Sequence, residues 1–170
     1  VGQSGGPTSV INSSLVGVYK TAKDRGANKV YGMLHGIKGL LDGQYVDLSE
    51  HIKTTLDIDL LKRTPSSFLG SCRYKLSDYA ILINSDIKFM GVPKTIDNDL
   101  AITDHTPGYG SAAKFIAASL KEIIRDGLVY DYPTITIVEI MGRNAGWLTA
   151  AAALSRSDDC EGVDMIYLPE

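Results

Sequence analysis

Between Gly91 and Phe115 the sequence reads GVPKTIDNDLAITDHTPGYGSAAKF, setting Lys94, Thr95 and the carboxylates Asp97, Asp99 and Asp104 between a predicted strand and a predicted helix. A carboxylate flanked by a cation and a hydroxyl, at the C-terminal end of a buried strand, can take a proton from an alcohol while the cation gathers a phosphoryl donor. The chemistry expected here is phosphoryl transfer. The bland alternative is a solvated loop, but acids and a lysine crowded into one tight turn are costly without a ligand or metal.

Three other segments could serve such a site. Ser4-Gly5-Gly6-Pro7-Thr8-Ser9 lies between a predicted strand and helix, where bare backbone amides and the helix dipole attract anions, or where the chain simply makes a tight turn. It is not a Walker loop, because no Gly-Lys-Ser/Thr follows at the required spacing. MGRNAGW, residues 141–147, also follows a predicted strand; Arg143 there either forks onto a phosphate or makes a salt bridge, and Gly146 opens the next helix. RTPSSFLGSCR, residues 63–73, offers hydroxyls and amides of the kind that line clefts, and its Arg73 faces either donor phosphates or solvent. His35, His51 and His105 have no metal-ligand spacing with one another or with Cys72 and Cys160, so they read as surface or structural residues, and Trp147 reads as a packing residue.

The elements that must position these residues follow from periodicity. Ile11, Leu15, Val18 and Ala22 recur at helical spacing and Gly26 ends that helix; residues 29–34 are a short strand, residues 36–43 a loop with one helical turn, and residues 56–62 a short helix. Helices are also expected over residues 76–84, 108–126 and 146–155, and strands over 87–92, 134–140 and 165–168. The β-branched run TITIVEI makes residues 134–140 a buried parallel strand. Strands alternating with helices, each strand ending in a glycine or polar loop, give an α/β fold with a doubly wound, mostly parallel sheet in three α/β/α layers, binding ligands at the strand C-termini.

Composition bounds the rest. With 170 residues, 44% hydrophobic and 22% charged, the chain has material for one sizeable core or part of a larger one. A net charge of -3 with scattered cations argues against a nucleic-acid partner. Two distant cysteines indicate neither a disulfide framework nor a zinc site, so the expected setting is a reducing cytoplasm. No apolar run reaches membrane-span length, so no membrane is expected as partner. Val1-Gly2-Gln3 looks like the end of a strand and the last residues like a strand handing over to a loop, which gives the expectation of a fragment.

Taken in order, GQSGGPTSVIN, TPSSFLGSCR, GVPKTIDNDL with TDHTPGYGSA, and VEIMGRNAGWL resemble the phosphofructokinase family over nearly the whole chain. The resemblance implies that residues 1–170 are the N-terminal phosphoryl-donor and catalytic α/β domain of a larger protein. It implies donor binding by Gly5 and Gly6, a grip on fructose 6-phosphate by Thr95, Ile96 and Asp97, and contact with the same sugar by Met141, Gly142 and Arg143. Asp97 would be the base, with Lys94 and Arg73 serving catalysis and the donor.

Lys94 stands where bacterial ATP-dependent members commonly have glycine, so the chain is similar to the pyrophosphate-dependent members, although some ATP-dependent branches share the lysine. The implied activity is reversible transfer from pyrophosphate to the 1-hydroxyl of fructose 6-phosphate, a glycolytic step, with magnesium and in a homo-oligomer. An ATP-dependent 6-phosphofructokinase is the nearest alternative, and a non-catalytic subunit or sugar-phosphate sensor the one from another class. The family's Gly-Gly-Asp loop, which binds magnesium, has no counterpart in this sequence. Arg73 leads almost at once into Tyr74-Lys75-Leu76-Ser77, which resembles the helix after that loop, so an internal gap is expected near residues 74–77. An omitted segment is the expectation over a true deletion, because losing a core strand would expose its neighbours.

Overall fold

A computed structural model of the chain describes residues 1–74 and 88–168, divided between two compact units, Val1–Val92 and Pro93–Glu170. In the first unit, α1 (Ser9–Asp24) forms where the helical spacing predicts it and turns Ile11, Leu15, Val16 and Tyr19 inward. The strand expected over residues 29–34 is β1 (Tyr31–Met33), the single helical turn is α2 (Ile37–Leu41), and β2 (Tyr45–Asp47) returns antiparallel to β1 with Val46 opposite Gly32. After α3 (Leu48–His51) comes α4 (Thr55–Arg63), which starts on a reciprocal cap: the Asp57 amide donates to Thr54 Oγ1 at 3.1 Å, and the Asp57 carboxylate accepts from the Thr54 amide at 2.8 Å.

Helix α1 packs on α4 over a core of Leu15, Val16, Tyr19, Val30, Leu48, Ile52, Leu61 and Leu69. Each fully buried aliphatic side chain there stabilises the unit by about 1.5–3 kcal/mol. The first residues lie beside β1, with the Met33 amide donating to Val1 O at 2.7 Å and Gly2 bridged to Met33 in parallel. This places the glycine loop that follows at the mouth of α1.

The second unit is organised by α5 (Tyr109–Gly127), the helix with the clearest apolar stripe in the sequence. Against it lie α6 (Trp147–Ala150) and the 3-10 turn Ala151–Ser155 into which α6 runs, burying Ala113, Leu120, Leu148, Ala151 and Ala152. The turn at residues 157–160 is tied to α5 by Asp159, which pairs with Lys121 at 3.4 Å and with Arg125. The Ser157 hydroxyl and then Lys121 pull the Asp159 carboxyl down to about 2.

Residues 134–140 differ from expectation. They join no ladder among the described residues, and Ile135 and Ile137 are 92% and 91% exposed. The described parts of the strands expected at 87–92 and 165–168 join none either. A parallel strand obtains its hydrogen bonds and burial from neighbours on both sides, so β-branched composition alone cannot deliver either. The helix expected over residues 76–84 and most of the proposed gap near 74–77 lie outside the described residues.

Candidate functional site

In the first unit the glycine loop is held by the segment that ends in Arg73. The Gly5 amide donates to Cys72 O at 3.2 Å, Ser4 Oγ donates to the same carbonyl at 3.0 Å, and Ser71 Oγ donates to Gly5 O at 2.6 Å. Gly5 has φ +84 with open space where a Cβ would stand, so the backbone conformation, not crowding, calls for glycine. Gly6 is half-buried and Arg73 exposed. Thr8 caps α1 with no side-chain hydrogen bond, and its buried Oγ1 has no partner among the described residues. The first amides of a sixteen-residue helix therefore go without a side-chain acceptor, the condition in which a helix start attracts an anion.

Two residues that sequence reasoning passed over fix this loop. Gln3 and Asn12, both buried, donate and accept in full. Gln3 Nε2 donates to Ile11 O (3.2 Å) and Asn12 Oδ1 (2.9 Å), and its Oε1 accepts from Ser67 Oγ and the Leu69 amide, each at 2.8 Å. Asn12 Nδ2 donates to Thr64 O (2.8 Å) and Ser66 O (3.0 Å), while its Oδ1 also accepts from the Phe68 amide at 2.9 Å. Cys72 carries a free, half-buried thiol. Backbone N–H groups of Lys38 and then Tyr74 hold its thiol below the ordinary value.

In the second unit the PKTIDND loop brings its predicted residues together. Lys94, Thr95, Ile96 and Asp97 are all half-buried, whereas Asp99 and Asp104 are exposed. The Asp97 amide donates to Thr95 Oγ1 at 3.1 Å, and Asp97 Oδ1 is buried with no hydrogen-bond partner among the described residues. A buried carboxylate oxygen left unengaged has its full capacity to accept a proton or a donor from outside. Ile96 and Met141 line one apolar cavity of about 290 Å³ with Phe115, Ile116, Leu120 and Val138. A wider cleft of about 590 Å³ along α5, edged by His105, Lys114 and Lys121, holds none of the predicted site residues.

Gly142 makes the turn after Met141, since a Cβ there would stand 2.7 Å from Ala145 O. Arg143 is exposed and makes no salt bridge among the described residues, so the ion-pair alternative has nothing behind it there. Trp147, expected to pack, is more than half exposed, because only Leu148 of that turn faces the core. His35, His51 and His105 are all exposed. Among the described residues no three His, Cys, Asp or Glu gather as a metal cluster. No helix among them is long and apolar enough to cross a membrane.

Comparison with known proteins identifies the family and the fold. The family model described as Phosphofructokinase matches residues 1–85 and 79–170. A pyrophosphate–fructose 6-phosphate 1-phosphotransferase of Rhodospirillum rubrum is 36% identical over 206 aligned positions, which take in 100% of this chain and 50% of that protein. An ATP-dependent 6-phosphofructokinase of Edwardsiella ictaluri is 31% identical, covering 98% of the chain and 58% of its own length. A crystal structure of a pyrophosphate-dependent phosphofructokinase from Nitrosospira multiformis superposes with a TM-score of 0.84 at 33% identity, over 95% of this chain and 50% of that one. The fold is thus the α/β fold of those structures. The chain spans about half the length of the curated relatives it matches.

Proposed function

The chain belongs to the phosphofructokinase family, and from that premise we propose that the protein moves a phosphoryl group from pyrophosphate to the 1-hydroxyl of fructose 6-phosphate. The observation that carries the reading is the buried, unengaged Oδ1 of Asp97 on a loop that also holds Lys94 and Thr95. Asp97 takes the proton of the 1-hydroxyl as that oxygen bonds to phosphorus. The bond from phosphorus to the bridging oxygen breaks, and orthophosphate leaves with the electron pair. Fructose 1,6-bisphosphate is the product, and the low cost of exchanging one phosphate bond for another leaves the reaction reversible.

Thr95 and Ile96 hold the sugar phosphate from the PKTIDND side, and Met141, Gly142 and Arg143 from the other turn. Gly6 presents its amide to the donor while Gly5, whose own amide is bonded to Cys72 O, shapes the turn beside it, and Lys94 and Arg73 offset charge on the transferring group. Magnesium, if it accompanies the donor, would supply further charge neutralisation, but among the described residues no cluster of His, Cys, Asp or Glu fits such an ion. Two unpaired cysteines accord with a reducing cytoplasm, and a homo-oligomer is the assembly that the family resemblance implies.

Pyrophosphate is preferred as donor because relatives named for it are 35–37% identical, against 29–31% for those named for ATP. The ATP reading stays in play through those same relatives. A coupled assay on the full-length protein, offering each donor separately with fructose 6-phosphate, decides between them; turnover with ATP and none with pyrophosphate overturns the choice. A non-catalytic subunit or sugar-phosphate sensor is the reading from another class, which the alignment of 206 positions onto 170 residues would support only if the unmatched positions are truly absent from the protein. Inactivity with both donors, in a protein whose intact mass excludes an inserted segment near residues 74–77, would establish it.

A further inference from the structure

The loop that presents Asp97 is closed by two buried side chains to which no role has been given. Asn98 is 7% exposed and stands at φ 57, in the left-handed region that asparagine tolerates better than most residues. Its Nδ2 donates to Asp104 O at 3.0 Å, and its Oδ1 accepts from the Thr106 amide at 2.9 Å. Thr106 is 3% exposed, and its hydroxyl donates to Thr95 O at 2.6 Å. Thr95 is further bridged in parallel to Gly108, the cap of α5.

These contacts sit on both sides of Asp97. Thr106 fixes the peptide two residues before it, and Asn98 reverses the chain one residue after it. The left-handed turn and the Thr95 hydroxyl bonded to the Asp97 amide leave the carboxylate with a defined backbone, while its Oδ1 has no partner among the described residues. Beyond the clasp, Asp99, Leu100, Ala101 and Ile102 are exposed, so nothing at the loop tip does this work.

We propose that Asn98 and Thr106 are positioning residues for the proton-accepting carboxylate, holding Asp97 in register with the acceptor hydroxyl while contributing no contact to substrate. The proposal rests on the reading of Asp97 as the base. Small displacements of a reacting group lower the rate of the chemical step far more than they weaken binding.

The test uses the full-length protein with magnesium, pyrophosphate and fructose 6-phosphate. Thr106→Val removes the hydroxyl at nearly constant shape, and the expected result is a fall in kcat of roughly 10- to 100-fold, with KM for fructose 6-phosphate within about 2-fold. Thr106→Ser, which keeps the donor, restores most of that kcat. In an Asp97→Asn background Thr106→Val lowers the residual rate no further, because the residue acts through the missing carboxylate.

Wild-type kcat in Thr106→Val, or an equal loss with and without Asp97, overturns the proposal. Should Thr106→Val show no cooperative melting, Asn98→Gly serves instead: glycine accepts the left-handed backbone while removing both amide hydrogen bonds, and an undiminished kcat overturns the proposal in the same way. If Asp97→Asn alone leaves the rate intact, the reading of Asp97 as the base is what fails, and that is visible before Thr106 is touched.

Discussion

The two loops that carry the predicted chemistry are built on opposite principles. In the glycine loop of the first unit, the two amide side chains beneath the backbone are saturated, every donor and acceptor of Gln3 and Asn12 being matched inside the protein, and the buried polar atom left without a partner among the described residues is the hydroxyl of the cap residue Thr8. In the PKTIDND loop of the second unit, saturation stops one residue short of Asp97, since Asn98 and Thr106 are matched and Asp97 Oδ1 has no partner among the described residues. Under the proposed function the contrast separates two tasks: a glycine turn that meets an anion with backbone would need rigid support, and a base would need the same support with one carboxylate oxygen left open.

The largest effect should come from the unmatched oxygen. Asp97→Asn is expected to lower kcat by roughly 10²- to 10⁴-fold with little change in thermal stability, because no internal hydrogen bond to Oδ1 is lost. Steady-state kinetics paired with a melting curve reads both; a large stability change with intact kcat would invert the contrast between the loops. Asn12→Ala should do the reverse. It strands the Phe68 amide and the Thr64 and Ser66 carbonyls, for a loss of about 3 kcal/mol readable by urea unfolding.

A smaller change is expected from Gly5→Ala, which forces a Cβ onto a φ of +84 in otherwise open space. The strain should amount to about 1–2 kcal/mol and raise KM for pyrophosphate more than KM for fructose 6-phosphate. An equal rise in both would show that the glycine loop does not address the donor.

The smallest effect lies away from both loops. The Ser157 hydroxyl first, and then Lys121 and Arg125, hold Asp159 at about 2, below its ordinary 3.8, so these contacts stabilise the fold at pH above 3.8 and the contribution is lost as pH falls through 2. Acid melting of Asp159→Asn against wild type should converge over that interval, and high salt should narrow the gap at neutral pH, as for any exposed pair.

Much of this was legible in the sequence, unevenly. Helix α5 was clear because Ala112, Ile116, Leu120 and Ile123 repeat at 3.6-residue spacing, a local property. Lys94, Thr95 and Asp97 declared themselves by residue type. The clasp did not, because the hydrogen bond from Thr106 to Thr95 O closes eleven residues of loop and the role of Asn98 depends on a backbone angle that no spacing rule encodes. Gln3 and Asn12 look like ordinary polar residues until residues 64–69 arrive to bury them. The strand expected at residues 134–140 erred in the opposite direction, since composition announces a willingness to pair but supplies no neighbour.

The amide knot of Gln3 and Asn12 also bears on folding. Its partners in residues 64–69 lie more than fifty residues downstream, so the glycine loop is expected to gain its final hydrogen bonds only once that segment has docked. Deuterium should accordingly reach the Phe68 and Leu69 amides only through wholesale opening of the first unit, making their exchange rates a clock for the cradle's assembly.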